Sequence, residues 1–450
     1  MGAVTQTAPI TASGIAVATV AGAVTLTNAG NDVSSLQITS GSQPASFTDK
    51  NAVSLSTIAA GAFTLRAGGA VTQTQAATTT SFDVATTLGG VTLGNAGNAL
   101  GTLSANLAAT GAPLTVVNNG LLRVAQVSTQ GPIAISTLNG GNVNIGPAGT
   151  PAPKIQTTST INFTGVTGGI VTANGGTIVA PGGVTVPTGK RIQWTLTSSA
   201  DSGTGSLRDT LQMVNSLKAP SQITYTAPAT INLASPLPTV TVPLAVIGKS
   251  QLTLNGSAAG TGANGLSFSN TAANSSINGV TFQNFSGAGL NLTAAAGTTV
   301  TAINVSNSAI GLRATGALAS TVITSSTFIG NVQGAYLAGT GITFGIAGQG
   351  NVLTGNASTT AGIYITGASS GTTVRGNAVS QATSGISIVS ATGATIGGTG
   401  SGQFNSVAFA TNGVFGTGTC TGSSVIKTAF GSNVTTKYNT SGARGLTIVQ

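Results

Sequence analysis

Three ionisable side chains lie close together in the segment DSGTGSLRDTLQMVNS, residues 201–216, where Asp201, Arg208 and Asp209 fall within nine positions. Two carboxylates beside a guanidinium are a set that general acid–base catalysis can use, because that chemistry needs a titratable pair near the reacting bond. The same segment has the one convincing helix pattern in the sequence, and carboxylates at the start of a helix have a sufficient structural use. We therefore predict a structural role for this group.

The helix is predicted to begin after Ser206 and to end before Pro220. Ser206 is placed to act as its N-cap, and Asp209 stands at the third helical position, as in a capping box with Asp in place of the usual Glu. One face is apolar and consists of Leu207, Leu211, Val214 and Leu217. An amphipathic helix at this point would cover an open apolar core and sheet edge, or seal a junction between two solenoids.

Elsewhere the chain holds few groups for acid–base or metal chemistry. Its 450 residues include no His and no Glu, and the five acids are Asp32, Asp49, Asp83, Asp201 and Asp209. No carboxylate follows Asp209, and the single cysteine is Cys420. Because metal sites need carboxylate, imidazole or thiolate ligands, we predict no metal site, no cofactor, no catalytic residue and no enzymatic activity.

The basic residues are dispersed along the chain. Fourteen Lys and Arg against five Asp give a net charge of +9, but only Lys190 and Arg191 are adjacent. Nucleic-acid binding needs clustered cations with aromatic side chains for stacking, so no nucleic-acid partner is predicted. No stretch reaches the roughly 18 apolar residues of a membrane span, so none is predicted either.

The C-terminal half repeats a Gly followed by a strand-like triplet. These glycines recur at nearly even intervals, at Gly289, Gly311, Gly334, Gly362 and Gly385. An Asn recurs at similar intervals, at Asn284, Asn307, Asn331, Asn356 and Asn377. Units of this size with two or three short strands are typical of one coil of a parallel β-solenoid.

Each repeated residue type suggests a role within the coil. We predict that the Gly permits a turn with positive φ, and that the Asn amides bond to one another along a ladder inside the turns. The alternative is that Asn is simply common in turns. The triplets predict inward rows that include Leu290, Leu292, Leu312, Ala335, Leu337, Ile363, Ile365, Ile386 and Ile388.

The N-terminal half repeats on a longer scale. AVTLTNAGND at 23–32 returns as GVTLGNAGNA at 90–99, and each copy leads into alternating segments such as FTLRAGGAVTQT at 63–74. We call this recurrence the long repeat. Period-two alternation bounded by Gly, Asn and Pro is typical of strands and turns. At about 24 residues per coil, the long repeat fits about three coils and the whole chain roughly 18.

Two family resemblances rest on these phrases. NAGNDVSSLQITSG and AVSLSTIAAGAFTLRAGGAVTQ resemble the repeats of bacterial filamentous haemagglutinin-type exoproteins, over most of residues 20–190. GSLRD at 205–209, ATINLASPLPTVTVPLAVIG at 229–248 and GVTFQNFSG at 279–287 are similar, in that order, to right-handed parallel β-helices of the pectate-lyase-like superfamily found in surface proteins. Such motifs specify a fold better than an activity.

The second resemblance implies a fold but not the enzymes' chemistry. Pectate-lyase-like enzymes use a calcium site of acidic residues with a basic Arg or Lys, and this chain has no acid after Asp209 to fill it. We predict an all-β protein, a right-handed parallel β-helix or β-solenoid with one short helix near 206–217. Its predicted segments are haemagglutinin-like repeats at 1–190, a junction at 191–220 and a parallel β-helix at 221–450.

The function predicted from the sequence is that of a non-enzymatic structural or adhesive segment of an exported bacterial cell-surface protein, such as a fibre, an adhesin shaft or a surface layer. One alternative is a carbohydrate-binding or carbohydrate-active β-helix related to polysaccharide lyases, and another is a self-assembling filament subunit without an adhesive role. The expected location is extracellular or the bacterial cell surface. The expected partners are further copies joined end to end or a longer parent chain, with a cell-surface or matrix polysaccharide as a further candidate.

Overall fold

The computed structural model of the chain describes residues 2–146, 154–172, 176–225, 227–431 and 433–450. It is an all-β parallel β-solenoid of about 19 turns with one α-helix in the described part of the chain, so the predicted fold class is confirmed. Short runs of β-branched and small residues bounded by Gly, Asn and Pro form strands and tight turns, as their propensities favour.

The strands before the helix are Val4–Thr5, Thr11–Ala12, Ile15–Ala18, Val24–Leu26, Asp32–Val33, Ser35–Thr39, Ala45–Asp49, Val53–Ala67, Val71–Gln73, Ala77–Thr86, Val91–Leu93, Ala99–Thr110, Leu114–Asn119, Leu122–Gln130, Ile133–Leu138, Val143–Ile145, Lys154–Thr157, Ile161–Asn162, Ile170–Thr172, Thr177–Val179, Val184–Thr185 and Ile192–Leu196. The α-helix is Leu207–Leu217 and a 3₁₀ turn is Asn270–Ala272. The strands after the helix are Ser221–Tyr225, Ala229–Asn232, Leu244–Asn255, Leu266–Phe268, Ser276–Gln283, Ala288–Thr293, Thr299–Thr301, Asn304–Ser306, Ile310–Thr324, Thr327–Ile329, Gln333–Phe344, Val352–Thr354, Ala361–Ala368, Thr373–Val374, Ala378–Thr392, Thr395–Gly397, Asn405–Thr419, Ser424–Ile426, Thr428–Phe430, Val434–Arg444 and Thr447–Val449.

Successive coils pair their strands in parallel and in register. Leu290 pairs with Leu312, which pairs in turn with Ala335, so that one position of the repeat stays in one row. Side chains alternate between the two faces of a strand, and the apolar positions of each triplet therefore stack inside. The predicted inward rows are confirmed, since each of their members is fully buried: Leu290, Leu292, Leu312, Ala335, Leu337, Ile363, Ile365, Ile386 and Ile388.

The chain forms two compact units, the first of which comprises Met1–Thr195 and Met213–Ser221. Its interior is aliphatic with a few aromatic side chains, and the rings of Phe63 and Phe82 pack edge to face with centroids 5.3 Å apart. Phe63 and Phe82 are register partners on adjacent strands, so the aromatic contact follows the stacking of the coils.

A polar cluster around a buried Asn occurs in both copies of the long repeat. One cluster consists of Gln6, Asn28 and Asn31, and the other consists of Gln73, Asn95 and Asn98. In each copy the Gln Nε2 donates to the Oδ1 of the buried Asn at 2.8 Å, and that Asn donates to backbone carbonyl oxygens of two further segments. The long repeat of the sequence thus marks a cluster that satisfies buried backbone groups.

The second unit comprises Leu196–Gln212 and Gln222–Gln450. The repeated glycines of this unit do not have the backbone conformation predicted for them. None of Gly289, Gly311, Gly334, Gly362 and Gly385 has a positive φ. A Cβ on Gly311 would collide with the carbonyl oxygen of Gly334 in the next coil, and one on Gly362 would collide with a methyl group of Val379. These positions therefore need Gly because the backbone and the core approach closely, and the prediction of left-handed turns there is wrong.

The helix Leu207–Leu217 has the amphipathic character expected of it. Its apolar face is fully buried and consists of Leu207, Leu211, Val214 and Leu217. Lys218, directly after the last helical residue, has a φ of 54°, the left-handed conformation that commonly ends a helix.

Candidate functional site

Asp201, Arg208 and Asp209 lie at the start of the helix, and Arg208 makes most of their contacts. Its guanidinium Nη2 lies 2.6 Å from Asp201 Oδ1, and its Nε donates to the Asp201 carbonyl oxygen at 3.2 Å. The same guanidinium donates to the carbonyl oxygens of Pro236 at 2.6 Å and of Ser235 at 2.9 Å. Arg208 therefore ties the segment before the helix to residues 235 and 236, and Asp201 serves as its counter-ion.

Ser206 and Asp209 lie at the helix start in the places that the sequence indicates. Ser206 is buried and its Oγ accepts a hydrogen bond from the Asp209 amide at 3.3 Å. The Asp209 carboxylate does not return this bond to Ser206; its Oδ1 accepts from the amide of Gly203 at 3.1 Å. The reciprocal half of a capping box is thus replaced by a bond that closes the preceding loop.

Two further carboxylates form ion pairs at the surface of the first unit. Asp32 Oδ2 lies 3.0 Å from Lys50 Nζ, and Asp83 Oδ2 lies 2.6 Å from Arg66 Nη2. The hydrogen bond from Lys50, followed by one from Asn51, lowers the pKa of Asp32 below its usual value. Both pairs are more than a third exposed, so each contributes little to stability.

The fifth carboxylate, Asp49, is buried and bonds to the backbone. Its Oδ2 accepts from the amide of Val33 and its Oδ1 accepts from the amide of Asn51, both at 2.8 Å. Asn118 takes a similar part in the second copy of the long repeat, where its Oδ1 accepts from the Leu100 amide at 2.8 Å. An amide can do the same work as this carboxylate, which indicates that hydrogen bonding to the turn is its use.

The described ranges lack both clusters of metal ligands and helices that could span a membrane. No group of three or more His, Cys, Asp or Glu side chains that could hold a metal ion occurs among the residues the structure describes. Within the same residues, no helix has the length and apolar character needed to cross a membrane.

Asn331, one of the predicted ladder residues, is buried and bridges three coils. Its Oδ1 accepts from the amide of Ser308 at 2.9 Å, and its Nδ2 donates to the carbonyl oxygen of Val305 at 3.0 Å. Thr359 of the following coil donates its hydroxyl to the Asn331 carbonyl oxygen at 2.7 Å. The side chain therefore satisfies backbone groups that the turn would otherwise bury without partners.

Asn377 belongs to a different and more regular ladder, formed with Asn351 and Asn405. Asn351 Nδ2 donates to Asn377 Oδ1 at 3.0 Å, and Asn377 Nδ2 donates to Asn405 Oδ1 at 3.0 Å. The backbone amides of Asn351 and Asn377 donate to the same two oxygens at 2.9 and 3.0 Å. Sequence reasoning missed Asn351 and Asn405, although all three stand two positions before a buried aliphatic residue, in the phrases NVL, NAV and NSV.

Three members of the predicted series do not belong to either buried ladder. Asn284 and Asn307 have φ values of 62° and 52°; Asn284 is only partly buried and bonds to Asn255 of the preceding coil at 2.9 Å, and Asn307 is exposed. Asn356 is exposed, so the prediction that it is buried is wrong. Its Oδ1 accepts from the amide of Ser358, two residues on, at 2.9 Å. The near-even spacing of these Asn residues wrongly indicated one ladder, because the residues occupy different positions within the turns of successive coils.

The outer face of the second unit carries a row of large side chains in register. Arg313 pairs with Tyr336, and Tyr336 pairs with Tyr364 on the following strand. The two tyrosine rings are stacked, with centroids 5.4 Å apart and planes 11° apart, and the Arg313 guanidinium carbon lies 5.4 Å from the centroid of Tyr336. The rings use their faces within the row, so the edges and the guanidinium remain for a ligand. We call these three residues the outer row.

Comparisons with known proteins agree with the fold and give no activity. Residues 244–379 match a family model described as a right handed beta helix region. Residues 1–40 and 43–106 match a model described as repeats of unknown function, DUF5649. No curated protein and no solved structure matches the chain. The matched part of the second unit is thus similar to right-handed β-helices, and the repeats of the first unit are similar to a family without a known role.

Proposed function

We propose that the chain is a non-enzymatic structural or adhesive segment of an exported bacterial cell-surface protein. The observation that supports this is that each of the five carboxylates is used in a structural contact: Asp32, Asp83 and Asp201 in ion pairs, Asp49 at a buried turn and Asp209 at the helix start. A glycosidase or lyase needs carboxylates or bases that face a substrate. The resemblance of residues 20–190 to filamentous haemagglutinin-type repeats belongs to the same proposal.

A structural role predicts tolerance to the removal of one coil. Because Leu312 pairs with Ala335, deleting residues 312–334 joins Gly311 to Ala335 and keeps every later row in register. We expect the shortened chain to fold, with the same strand signal by circular dichroism, and to support surface attachment of the producing cell as the full chain does. A deletion of residues 312–323, which is out of register, is the matched control. Loss of attachment in a folded in-register variant, with attachment kept in an Arg313→Ala variant of the full chain, would contradict the proposal.

The partner that we propose is another copy of the chain or a longer parent chain, at the cell surface. Light scattering and negative-stain microscopy of the purified protein test self-association. Concentration-dependent filaments are expected, and a dispersed monomer at high concentration would contradict this part of the proposal.

A second candidate function, carbohydrate binding without cleavage, is favoured by the outer row. A guanidinium and two tyrosines at successive coils offer hydrogen-bond donors and aromatic edges with a regular spacing of about 4.8 Å. Such a row suits a linear polysaccharide that runs along the stacked strands.

The outer row can be tested by glycan-array binding of the native chain and of a Y336A/Y364A double variant. We expect the affinity to fall by roughly five- to 150-fold in the double variant, because roughly 1–3 kcal/mol of contact is lost. Thr366→Ala changes a neighbouring residue of the same strand and should leave binding unchanged. Equal binding by all three proteins would exclude the outer row as the carbohydrate site.

A further inference from the structure

Asn followed by Gly is the dipeptide most prone to spontaneous deamidation, because Gly has no Cβ and its backbone nitrogen can approach the Asn side chain. In the described ranges this pair occurs at Asn119, Asn139, Asn255, Asn264, Asn278 and Asn412. The last two lie within the strands Ser276–Gln283 and Asn405–Thr419. The other four lie in turns or at strand ends, where the reaction is normally fastest.

In each of these four pairs the reacting nitrogen is held by the stacked coils. The amides of Gly120, Gly256 and Gly265 donate to backbone carbonyl oxygens of the next coil at 3.2, 2.9 and 2.9 Å. The amide of Gly140 differs, because it donates to a side chain, Thr167 Oγ1, at 3.0 Å. A nitrogen whose N–H is bonded is a poor nucleophile, since the N–H must be lost before attack.

We propose that coil stacking protects these four Asn–Gly pairs from deamidation, and that Asn139 is the least protected of them and the first of the four to be modified in the folded chain. Asn139 and Gly140 are the two central residues of an exposed turn, with φ values of 53° and 72°, and the Gly141 amide closes it by donating to the Leu138 carbonyl oxygen at 3.0 Å. This is the turn geometry in which Asn–Gly is preferred. The inference goes beyond the proposed function and does not depend on it.

The bond that protects Asn139 is weaker than the other three for a physical reason. The other three acceptors are backbone carbonyls of terminal strand residues, which turn only if the backbone turns, whereas the Thr167 side chain is exposed and rotates about χ1. Its hydroxyl is held in place by donating to the Thr137 carbonyl oxygen at 2.9 Å, itself a single bond. The Gly140 nitrogen is therefore free more often than the other three.

The reaction needs only water. The Gly140 nitrogen loses its proton to solvent base and attacks Cγ of Asn139, and the side-chain nitrogen leaves as ammonia, which forms a succinimide. Water then opens either carbonyl to give Asp or isoaspartate. The product loses the Nδ2 donor that Asn139 directs at Asn119 Oδ1 over 2.6 Å, so a carboxylate comes to face a carbonyl oxygen and the contact between these two turns weakens.

Peptide mapping by mass spectrometry, after incubation of the folded full chain in mildly alkaline buffer, measures deamidation at all four sites. We expect conversion at Asn139 first, and similar rates at all four sites once the chain is unfolded in urea. Thr167→Val keeps the shape of the side chain and should raise the Asn139 rate by roughly three- to tenfold, as expected for the loss of one hydrogen bond. Thr167→Ser keeps the hydroxyl and should retain the native rate.

Two results would overturn the proposal. The first is equal conversion of the four sites in the folded native chain, which needs no variant and so does not depend on how a variant folds. The second is an unchanged Asn139 rate in folded Thr167→Val. Asn264, whose Gly265 amide is held by the Ala288 carbonyl oxygen at 2.9 Å, is the internal control in every sample.

Discussion

Both units bond their buried backbone groups to polar side chains, but the spacing of these side chains along the sequence differs between the units. In the first unit, one buried Asn joins several strands and is itself fixed by a Gln, and the cluster occurs once in each copy of the long repeat, at Asn31 and Asn98. In the second unit, Asn351, Asn377 and Asn405 form a continuous ladder with one residue in each coil. Stacked turns therefore need buried polar side chains in both units, whereas the number of residues between these side chains differs from one unit to the other.

The difference also explains why the chain can do without carboxylates after Asp209. Three of the five carboxylates bond within the first unit, and Asp49 stands where the next copy of the long repeat uses Asn118. After Asp209, amide and hydroxyl side chains meet the same need without charge. The coils after the helix therefore have an interior network of uncharged side chains. The variants below test how independent the two arrangements are.

The largest effect is expected from Ile365→Asp, which places a charge in the dry interior of the second unit. Ile365 is fully buried between Leu337 and Ile388, so the variant should lose several kcal/mol of unfolding free energy. Chemical denaturation followed by circular dichroism measures this. Thr366→Asp, at the adjacent outward position, is the control and should change stability by less than about 1 kcal/mol. A native-like midpoint for Ile365→Asp would show that the rows are misassigned.

Removal of a polar side chain from either network should cost less than the core charge and should affect its own unit. Asn98→Ala leaves the Ala77 amide without its side-chain acceptor and removes the two bonds between Asn98 and Gln73. Asn377→Ala removes the acceptor of the Asn351 amide. We expect about 1–3 kcal/mol for each. Hydrogen exchange should increase in the first unit for one variant and in the second unit for the other.

Asn356→Ala is the matched control for both variants. Its side chain is exposed, accepts from the Ser358 amide and donates to the Gly330 carbonyl oxygen of the preceding coil at 3.3 Å. Water can replace both exposed bonds, so the loss of this side chain should cost less than about 1 kcal/mol. If all three Ala variants were equally unstable, the distinction between buried ladders and surface turns would be lost.

The helix start should tolerate loss of its charges at a moderate cost. An Asp201→Asn/Asp209→Asn double variant removes the counter-ion of Arg208 and the negative charge at the helix start, so we expect roughly 1–2 kcal/mol of destabilisation. The amide oxygen of the new side chain at position 209 can still accept from the Gly203 amide, so the loop bond is kept. Asp83→Asn removes an exposed ion pair and is the control, with an expected change within about 1 kcal/mol. Surface attachment should be unaffected by either variant, and loss of a measurable activity in a folded double variant would argue against a structural role.

The smallest effect is a difference in acid sensitivity between the first unit and residues 222–450 of the second. The hydrogen bond from Lys50 lowers the pKa of Asp32 in the folded chain. The contribution of Asp32 to folding stability is therefore complete above the pKa of the unfolded chain, and it is lost as the pH falls through the lower pKa of the folded chain. We expect the first unit to lose stability below about pH 4, and less so in Asp32→Asn. Residues 222–450 contain no side-chain carboxylate and should not respond in this range. Equal acid responses by NMR in residues 2–195 and in residues 222–450 would contradict this.

Much of the fold could be predicted from alternation alone. In triplets such as GIYI, apolar residues at every second position specify which side chains are buried, and Ile363 and Ile365 are both inside. The position of each Asn could not be predicted in the same way, because turns of unequal length place Asn307, Asn331 and Asn377 at three different points of the coil. The outer row was visible only in part, as the outward Tyr of GAYL and GIYI, since its geometry depends on the register of three strands.

The proposed non-enzymatic role depends most on the assignment of all five carboxylates to structural contacts, and one assay tests this assignment directly. The purified chain is incubated with a panel of bacterial, plant and matrix polysaccharides, with and without calcium, and new reducing ends and unsaturated products are measured. We expect no product above that of the Asp201→Asn/Asp209→Asn variant and the buffer. Sustained product formation by the native chain, abolished by replacement of any of the five Asp in a protein that remains folded, would contradict the assignment of these side chains to structure.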